Sequence, residues 1–127
     1  MSPRANAVRC SATEPCPPKP ELARRPLLAS DAALELAELF KVLANETRLR
    51  LLHALARKGE LCVNELASAL GMSPQAVSNQ LQRLSDRAIV ATRREGTSIY
   101  YRITDPCVLA LLDQGLCLAE DAKKVRR

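Results

Sequence analysis

The feature that most constrains this fold is a change in the spacing of apolar residues after Ala88. Before Ala88, apolar residues recur at i, i+3, i+4 and i+7 in four successive segments, which is the spacing of amphipathic helices. After it, residues 89–94 and 98–103 are β-prone, and the connection between them contains Gly96, as in a β-hairpin. A last helical segment begins after Asp105-Pro106. The sequence therefore predicts a mainly α-helical domain with one β-hairpin.

Each of the four helical segments has a predicted boundary and an apolar face. Ser30 or Asp31 caps the first helix, and Gly59 and Gly71 end the second and third. The fourth begins at Ser73-Pro74, with the serine as N-cap and the proline in the first turn. In the first helix the apolar residues at helical spacing are Leu36, Leu39, Phe40 and Leu43. The residues predicted to face inward in the other three are Leu49, Leu52, Leu55 and Ala56, then Val63, Leu66, Ala67 and Leu70, and finally Ala76, Val77, Leu81 and Leu84.

The chain divides into three regions by composition. Residues 1–29 hold six of the eight prolines and two of the five cysteines, and they show no periodicity, so we expect a flexible tail. Residues 30–120 are expected to form the domain itself, and residues 121–127 a basic C-terminal tail. A chain of 127 residues is long enough for one such domain and too short for a multidomain enzyme.

Composition and motif content argue against several classes of protein. The longest apolar run, residues 108–112, is far shorter than the ~20 residues of a membrane span, and the N-terminus has no apolar signal segment. We therefore expect a cytoplasmic protein with no membrane partner, whose five cysteines are thiols. The sequence has no Cys–His pair at a suggestive spacing, Gly-rich phosphate loop or convergent carboxylates, so we do not expect an enzyme. The net charge of +5 suits a polyanionic partner.

The order of elements is typical of a winged helix-turn-helix, in which the third and fourth helices form the helix-turn-helix. One face of the predicted fourth helix carries Gln75, Ser78, Asn79 and Gln82 at i, i+3, i+4 and i+7, with Arg83 beside it. Amide and hydroxyl groups can donate to and accept from base edges in the major groove. This face therefore predicts that the helix reads double-stranded DNA.

The predicted hairpin offers a second DNA contact. Arg93 and Arg94 lead into its tip, and Thr97 leaves it, so cations and a hydroxyl gather where a wing would meet phosphates. An ordinary charged hairpin is the alternative, and Glu95 at the tip favours that interpretation.

Three segments resemble the ArsR/SmtB family of metal-responsive repressors: FKVLANETRLRLLHAL (40–55), GELCVNELASALGMSPQAVSNQLQRL (59–84) and REGTSIYYRI (94–103). The resemblance implies a homodimer, joined through its first and last helices, that holds operator DNA and leaves it when metal binds, so that resistance genes are derepressed. By residue match, it implies that the operator-reading positions are Ser73, Gln75, Ser78, Asn79 and Gln80.

The last helix independently favours a helical dimer. Leu109, Leu112 and Leu116 form one apolar row on it, and Val108 and Leu111 form another. A small domain with three aromatic residues lacks a core large enough to cover both rows. Burial of the second row against another copy of the chain would cover it.

Cys62 is the leading candidate metal ligand. It lies in ELCVNEL, which resembles the ELCVCDL segment of arsenic- and cadmium/lead-sensing members, where both cysteines are ligands; here Asn64 replaces the second. In the cadmium/lead sensors, cysteines of the N-terminal tail complete the site, and Cys10 and Cys16 fit that role. The resemblance thus implies a trigonal Cys10/Cys16/Cys62 site, within one subunit or between two.

Cys107 and Cys117 are the alternative pair. Asp105-Pro106-Cys107 is similar to the Asp-x-His of zinc-sensing members with cysteine in place of histidine, and Cys117-x-x-Glu120 is similar to the second half of that site. The two cysteines are ten residues apart, which places them ~80° apart around a helix, so ligand and interface roles both remain open. His53, the only histidine, is expected to be structural.

Thiolate ligands favour soft ions. We expect Hg(II) first, then Cd(II) or Pb(II), then As(III), as the effector, and no organic cofactor. A thiol-redox-sensing repressor on the same fold is the competing hypothesis, in which cysteine pairs form disulfides under oxidant and no metal is used.

Overall fold

A computed structural model describes the backbone of residues 19–126 and the side chains of residues 19–124. It contains five α-helices and three strands in the described part: α1 (Ser30–Leu43), α2 (Glu46–Lys58), β1 (Leu61–Cys62), α3 (Val63–Leu70), α4 (Pro74–Asp86), β2 (Val90–Glu95), β3 (Ser98–Ile103) and α5 (Pro106–Arg126). The prediction of a mainly helical chain with one hairpin is confirmed. The part up to Ile103 forms one compact unit, and α5 belongs to a second.

Local side-chain chemistry sets the helix boundaries. The Asn45 side chain accepts the Arg48 N–H at 3.0 Å at the start of α2, and the Ser73 hydroxyl accepts the Ala76 N–H at 3.1 Å at the start of α4. Gly71 ends α3 in the left-handed conformation at φ 67°, which glycine adopts without steric cost. The predicted turn between α3 and α4 is therefore confirmed.

The core of the first unit lies where α2 packs against α3, α4 and β3. Its fully buried side chains are leucines and one valine from three helices: Leu51, Leu52, Leu55, Leu66, Val77, Leu81 and Leu84. The predicted inward faces of α3 and α4 are thus largely confirmed. In α2 the prediction was partly wrong, because Leu51 takes the buried position while Leu49 is 39% exposed and Ala56 is also exposed.

The apolar face of α1 is mostly uncovered by the other elements of the first unit. Leu43 is buried, but Leu36 is 43% and Phe40 46% exposed. The apolar spacing was read correctly as an amphipathic helix, but the neighbouring elements of the first unit cover only its C-terminal end. An apolar helix face therefore remains available on the described chain.

The sheet is antiparallel, with strand order β1-β3-β2. In it Cys62 of β1 pairs with Tyr100 of β3, and Tyr100 pairs on its other side with Arg93 of β2. Gly96 turns the hairpin at φ 62°. The sequence did not predict β1, because two residues are too few to show an alternating pattern.

α5 begins after Asp105, whose side chain accepts the Cys107 N–H at 2.8 Å. The helix continues past residue 120 to Arg126, through most of the segment that we expected to be a basic tail. Alanine and lysine near its end favour helix, and cations there suit the negative end of the helix dipole. None of the helices between residues 19 and 126 combines the length and apolarity of a membrane span.

Residues 19–29 contain one turn of 3-10 helix at Leu22–Arg24 and are otherwise irregular. The rest of the predicted N-terminal tail, with the candidate ligands Cys10 and Cys16, lies outside the described residues.

Candidate nucleic-acid interface and effector site

Val77, Leu81 and Leu84 are buried on one side of α4. The polar side chains on the opposite side of the helix therefore face outward. Gln75 and Asn79 are exposed on the outer face, with the Gln75 amide nitrogen donating to the Asn79 carbonyl oxygen at 3.0 Å. Gln82 is also exposed and donates to Asp86 at 2.8 Å, and Ser78 is half-buried at the edge of this face. The amides are aligned along the helix, where they can donate to or accept from base edges.

Two of the predicted operator-reading residues have partners inside the protein. The Ser73 hydroxyl caps α4. Gln80 is half-buried, and its side-chain oxygen accepts a hydrogen bond from Arg48 Nη1 at 2.8 Å, while Arg48 Nε donates to the Val42 carbonyl. The structure thus places Gln80 between α4 and α2, ~100–160° around the helix from the outward amides.

Arg83 lies in a shallow groove between α1, α2 and α4. The groove is lined by one acid, one apolar residue and four cations: Glu38, Val42, Lys41, Arg48, Arg83 and Arg87. Arg87 is paired with Glu38 at 3.1 Å. Lys41 was not among the predicted DNA-contacting residues, because it comes close to Arg83 only when the helices pack. Arg87, one turn after Arg83 at the end of α4, was not among them either.

The two adjacent arginines of the predicted wing have different surroundings. Arg93 donates to both Glu60 oxygens, with Nη2 2.9 Å from Oε1 and Nε 3.2 Å from Oε2, and its guanidinium lies 5.1 Å from the centre of the Tyr100 ring. Arg94 points to the other face of β2, is exposed, and has no ion pair among residues 19–126. Thr97 is exposed at the tip. Arg94 and Thr97 are therefore the wing residues best placed to meet phosphates.

Sequence reasoning missed Glu60. Its hydrogen bond from Arg93 holds the pKa of the Glu60 carboxyl below its ordinary value, and the same contact raises the pKa of Arg93. Arg93 also lies 3.5 Å from Glu95, the acid that we had taken as a sign of an ordinary charged hairpin. Only the strand register brings residues 60 and 93 together, so no local sequence signal could have found the pair.

Cys62 occupies the N-cap position of α3, where it is half-buried and forms a capping box with Glu65. The Cys62 N–H donates to the Glu65 carboxylate at 3.0 Å, and this bond, with a second from the thiol, lowers the pKa of Glu65. As a metal ligand, Cys62 would supply one sulfur and would need others.

The remaining candidate ligands are not brought together in the part of the chain that the structure describes. Cys107 is half-buried and Cys117 exposed, both on α5, and the Cys117 sulfur lies 3.9 Å from an Asp121 oxygen. His53 is exposed on α2. Between residues 19 and 126, no group of three or more histidine, cysteine or acidic side chains is placed to hold a metal ion.

Comparison with known proteins gives a consistent result. The family model "Bacterial regulatory protein, arsR family" matches residues 45–92. A transcriptional repressor SmtB homologue from Synechocystis sp. is 45% identical over 85 residues, which are 67% of this chain and 64% of that repressor. The crystal structure of AntR, an antimony-specific transcriptional repressor, is 62% identical, with 87% of this chain and 99% of that chain covered and a TM-score of 0.72.

A homodimeric winged helix-turn-helix DNA-binding domain from Mycobacterium bovis, solved by NMR, is 37% identical, with 76% of this chain and 91% of that domain covered and a TM-score of 0.65. In the present chain α3 and α4 form the helix-turn-helix, and β2 and β3 form the wing, so the predicted fold class is confirmed. The relatives are transcriptional regulators, in agreement with the prediction that this is not an enzyme. The chain therefore belongs to the ArsR/SmtB family of metal-responsive transcriptional repressors.

Proposed function

We propose that this protein is a homodimeric repressor that holds a pseudopalindromic operator and is released when a soft metal or metalloid ion binds its cysteine thiolates. The observation that carries the proposal is the outward amide and hydroxyl face of α4, opposite a fully buried apolar stripe. A solvated face without a partner would more often carry glutamate and lysine. Gln75, Ser78 and Asn79 are the residues that we assign to base contacts.

The wing and a second subunit complete the proposed DNA complex. Arg94 and Thr97 contact phosphates beside the groove that α4 enters, and Arg83 contacts phosphates from the side of α4. Two copies related by a two-fold axis would place their α4 helices in successive major grooves, ~34 Å apart. The exposed apolar face of α1 supports a dimer, and so do Leu116 and Leu118, which are 61% and 72% exposed on α5.

The effector site is proposed at Cys62, with Cys10 and Cys16 as the other thiolates. Three thiolates suit a trivalent ion that binds in a trigonal arrangement. The high identity to an antimony-specific repressor supports trivalent antimony as the first choice, ahead of the Hg(II), Cd(II), Pb(II) and As(III) that softness alone suggested. Because the thiols must lose protons, affinity for the ion should rise with pH.

An operator gel shift across a panel of ions tests this function. Trivalent antimony should weaken operator binding by roughly 5–150-fold under reducing conditions, and excess dithiol should reverse the effect. Cys62→Ser should abolish release while leaving the operator affinity of the ion-free protein unchanged. Cys117→Ser, a matched change on α5, should still be released.

The outcomes distinguish the alternatives. Full release of Cys62→Ser, together with loss of release in Cys107→Ser or Cys117→Ser, would move the effector site to α5. Release by peroxide but by none of the ions would support the thiol-redox hypothesis instead. Failure of the pure protein to bind any operator fragment would contradict the repressor function itself.

A further inference from the structure

The side chain of Arg48 connects three helices of the first unit. It leaves the first turn of α2, is half-buried, and lies in the groove between α1, α2 and α4. Its Nε donates to the Val42 carbonyl at the end of α1, and its Nη1 donates to the Gln80 side-chain oxygen of α4 at 2.8 Å. One guanidinium group therefore holds the end of α1 and the side of α4 at fixed places relative to α2.

The contact with α1 follows from the chemistry of a helix end. The last carbonyls of a helix have no partner within the helix, and its C-terminus carries partial negative charge. Val42 is the last but one residue of α1, so the Arg48 cation both satisfies such a carbonyl and lies at the favourable end of the dipole. The connection to α2 is only two residues long, and the Asn45 N–H donates to the Leu43 carbonyl across it at 2.8 Å. At this corner α1 and α2 are thus held firmly together.

The contact with α4 is stronger than an ordinary surface hydrogen bond. A donor that carries a full charge forms a shorter and stronger bond than a neutral one, and partial burial limits competition from water. Arg48 has no carboxylate partner in the described part of the chain, so its two neutral acceptors on α1 and α4 are what orient the guanidinium. Loss of this side chain would free both helices at once.

An ion pair between Arg87 and Glu38 joins α1 and the end of α4 a second time. Arg87 directly follows α4, and its Nη2 lies 3.1 Å from a Glu38 oxygen. Glu38 is four residues before Val42 on α1, and Arg87 is seven after Gln80, so each pair lies along one side of its helix. Both partners of the ion pair are 43% exposed, so we expect it to contribute less than the Arg48 contacts.

The exposed apolar side chains of α1 point away from these contacts. Leu36 and Phe40 precede Glu38 and Val42 by two residues each, which is ~200° around a helix. Glu38 and Val42 line the groove toward α2 and α4, while Leu36 and Phe40 are exposed. One side of α1 is therefore held against the helices that carry the DNA-reading surface, and the opposite side is free for a second copy.

We infer that Arg48 is a positioning residue that fixes α4 relative to α1 and thereby sets the half-site spacing that the dimer accepts. The inference rests on the proposed function, in which α4 reads bases and α1 forms part of the dimer interface. In a two-fold dimer, the distance and angle between the two α4 helices depend on how each is held against that interface. A loosely held α4 would accept half-sites at more than one separation. Arg48 needs no contact with DNA for this role.

The test measures Kd for three DNA duplexes in the absence of any metal or metalloid ion, so that its result is independent of the effector site. The first duplex is the one that wild type selects from a randomised library, and the other two are longer or shorter by one base pair at the centre. One base pair shifts the half-sites by ~3.4 Å and rotates them by ~35°. We expect wild type to bind the altered duplexes about tenfold more weakly, and Arg48→Gln to bind all three within about twofold of one another.

Two further variants separate positioning from charge. Arg50→Gln is the matched control, because it removes the same charge from the same helix, and the exposed Arg50 side chain has no hydrogen bond or ion pair in the described part of the chain. It should discriminate between the spacings as wild type does. Arg48→Lys keeps the charge but lacks the planar fork that reaches two oxygens, so it should also lose discrimination. It serves as the test if circular dichroism shows that Arg48→Gln does not fold.

A double-mutant cycle tests the contact with Gln80 itself. Gln80→Leu removes the acceptor on α4 and should reduce the discrimination between spacings on its own. In the Arg48→Gln background it should cause no further loss, because the contact is already absent. Additive losses would mean that Gln80 acts by another route, such as contact with a base, and would overturn the inference.

The remaining outcomes separate the inference from the proposed function. Wild-type discrimination in both Arg48 variants, or an equal loss in Arg50→Gln, would overturn the inference and leave the repressor function intact. A wild type that binds all three duplexes equally well would do the same. A wild type that selects no duplex from the library, or that sediments as a monomer on the duplex it selects, would instead refute the proposed homodimeric repressor.

Discussion

At the scale of single residues, Arg93 and Arg94 show why charge alone does not identify a DNA contact. The two are adjacent in sequence and both are exposed cations of β2. Strand alternation sends them to opposite faces, so that Arg93 meets Glu60 and Tyr100 while Arg94 remains unpaired in the described part of the chain. Both were predicted to contact phosphate, and the surroundings now favour Arg94.

Replacement of each arginine by glutamine tests this distinction. Arg94→Gln should weaken operator binding and reduce the slope of log K against log salt by about one, because one phosphate contact is lost. Arg93→Gln should change that slope less, since much of its charge is already balanced by Glu60 and Glu95. Fluorescence anisotropy over a salt series measures both slopes. Equal slopes for Arg94→Gln and wild type would remove Arg94 from the interface.

At the scale of helices and strands, the parts fixed by local chemistry could be predicted from the sequence. Gly71 and Ser73-Pro74 define the turn between α3 and α4 by themselves, and the amide face of α4 follows from spacing alone. β1 could not be predicted, because it exists only through its pairing with Tyr100 and Tyr101. The Glu60–Arg93 contact depends on that pairing and was missed for the same reason.

The inward face of α2 was misassigned because leucines at 49, 51, 52 and 55 allow two overlapping stripes. Contact of α2 with α3, α4 and β3 selects the stripe that contains Leu51. Leu51→Ala should therefore lower the free energy of unfolding by about 2–5 kcal/mol, as for other buried leucines. Leu49→Ala is the matched control and should cost clearly less, since Leu49 is 39% exposed. Urea unfolding followed by circular dichroism compares them, and equal losses would contradict the observed core.

At the scale of the whole molecule, the described chain leaves apolar surface on both α1 and α5. The spare apolar rows of the last helix led to the expectation of a dimer, and the family resemblance implied an interface that the first and last helices form. The candidate effector site could also be predicted only in part. Cys62 could be singled out from its segment, but its partners lie outside the described residues, so their arrangement stays a prediction.

Phe40→Glu tests the dimer proposal. Phe40 is 46% exposed on the apolar face of α1, and a charge there would be costly to bury against a second copy. We expect sedimentation of the variant to show monomers at concentrations where the wild type is dimeric, with weakened operator binding and an unchanged helical spectrum. Lys41→Glu, at the next position of α1, is the control for added charge and should stay dimeric. A dimeric Phe40→Glu variant would place the interface elsewhere.

We propose that sulfur ligands decide when this repressor leaves DNA. The decisive measurement is the operator Kd of a variant with all five cysteines changed to serine, with and without trivalent antimony. The variant should bind the operator with wild-type affinity without the ion and with the same affinity in its presence. Dissociation of this variant from the operator on addition of the ion would show that sulfur ligands are not needed for release.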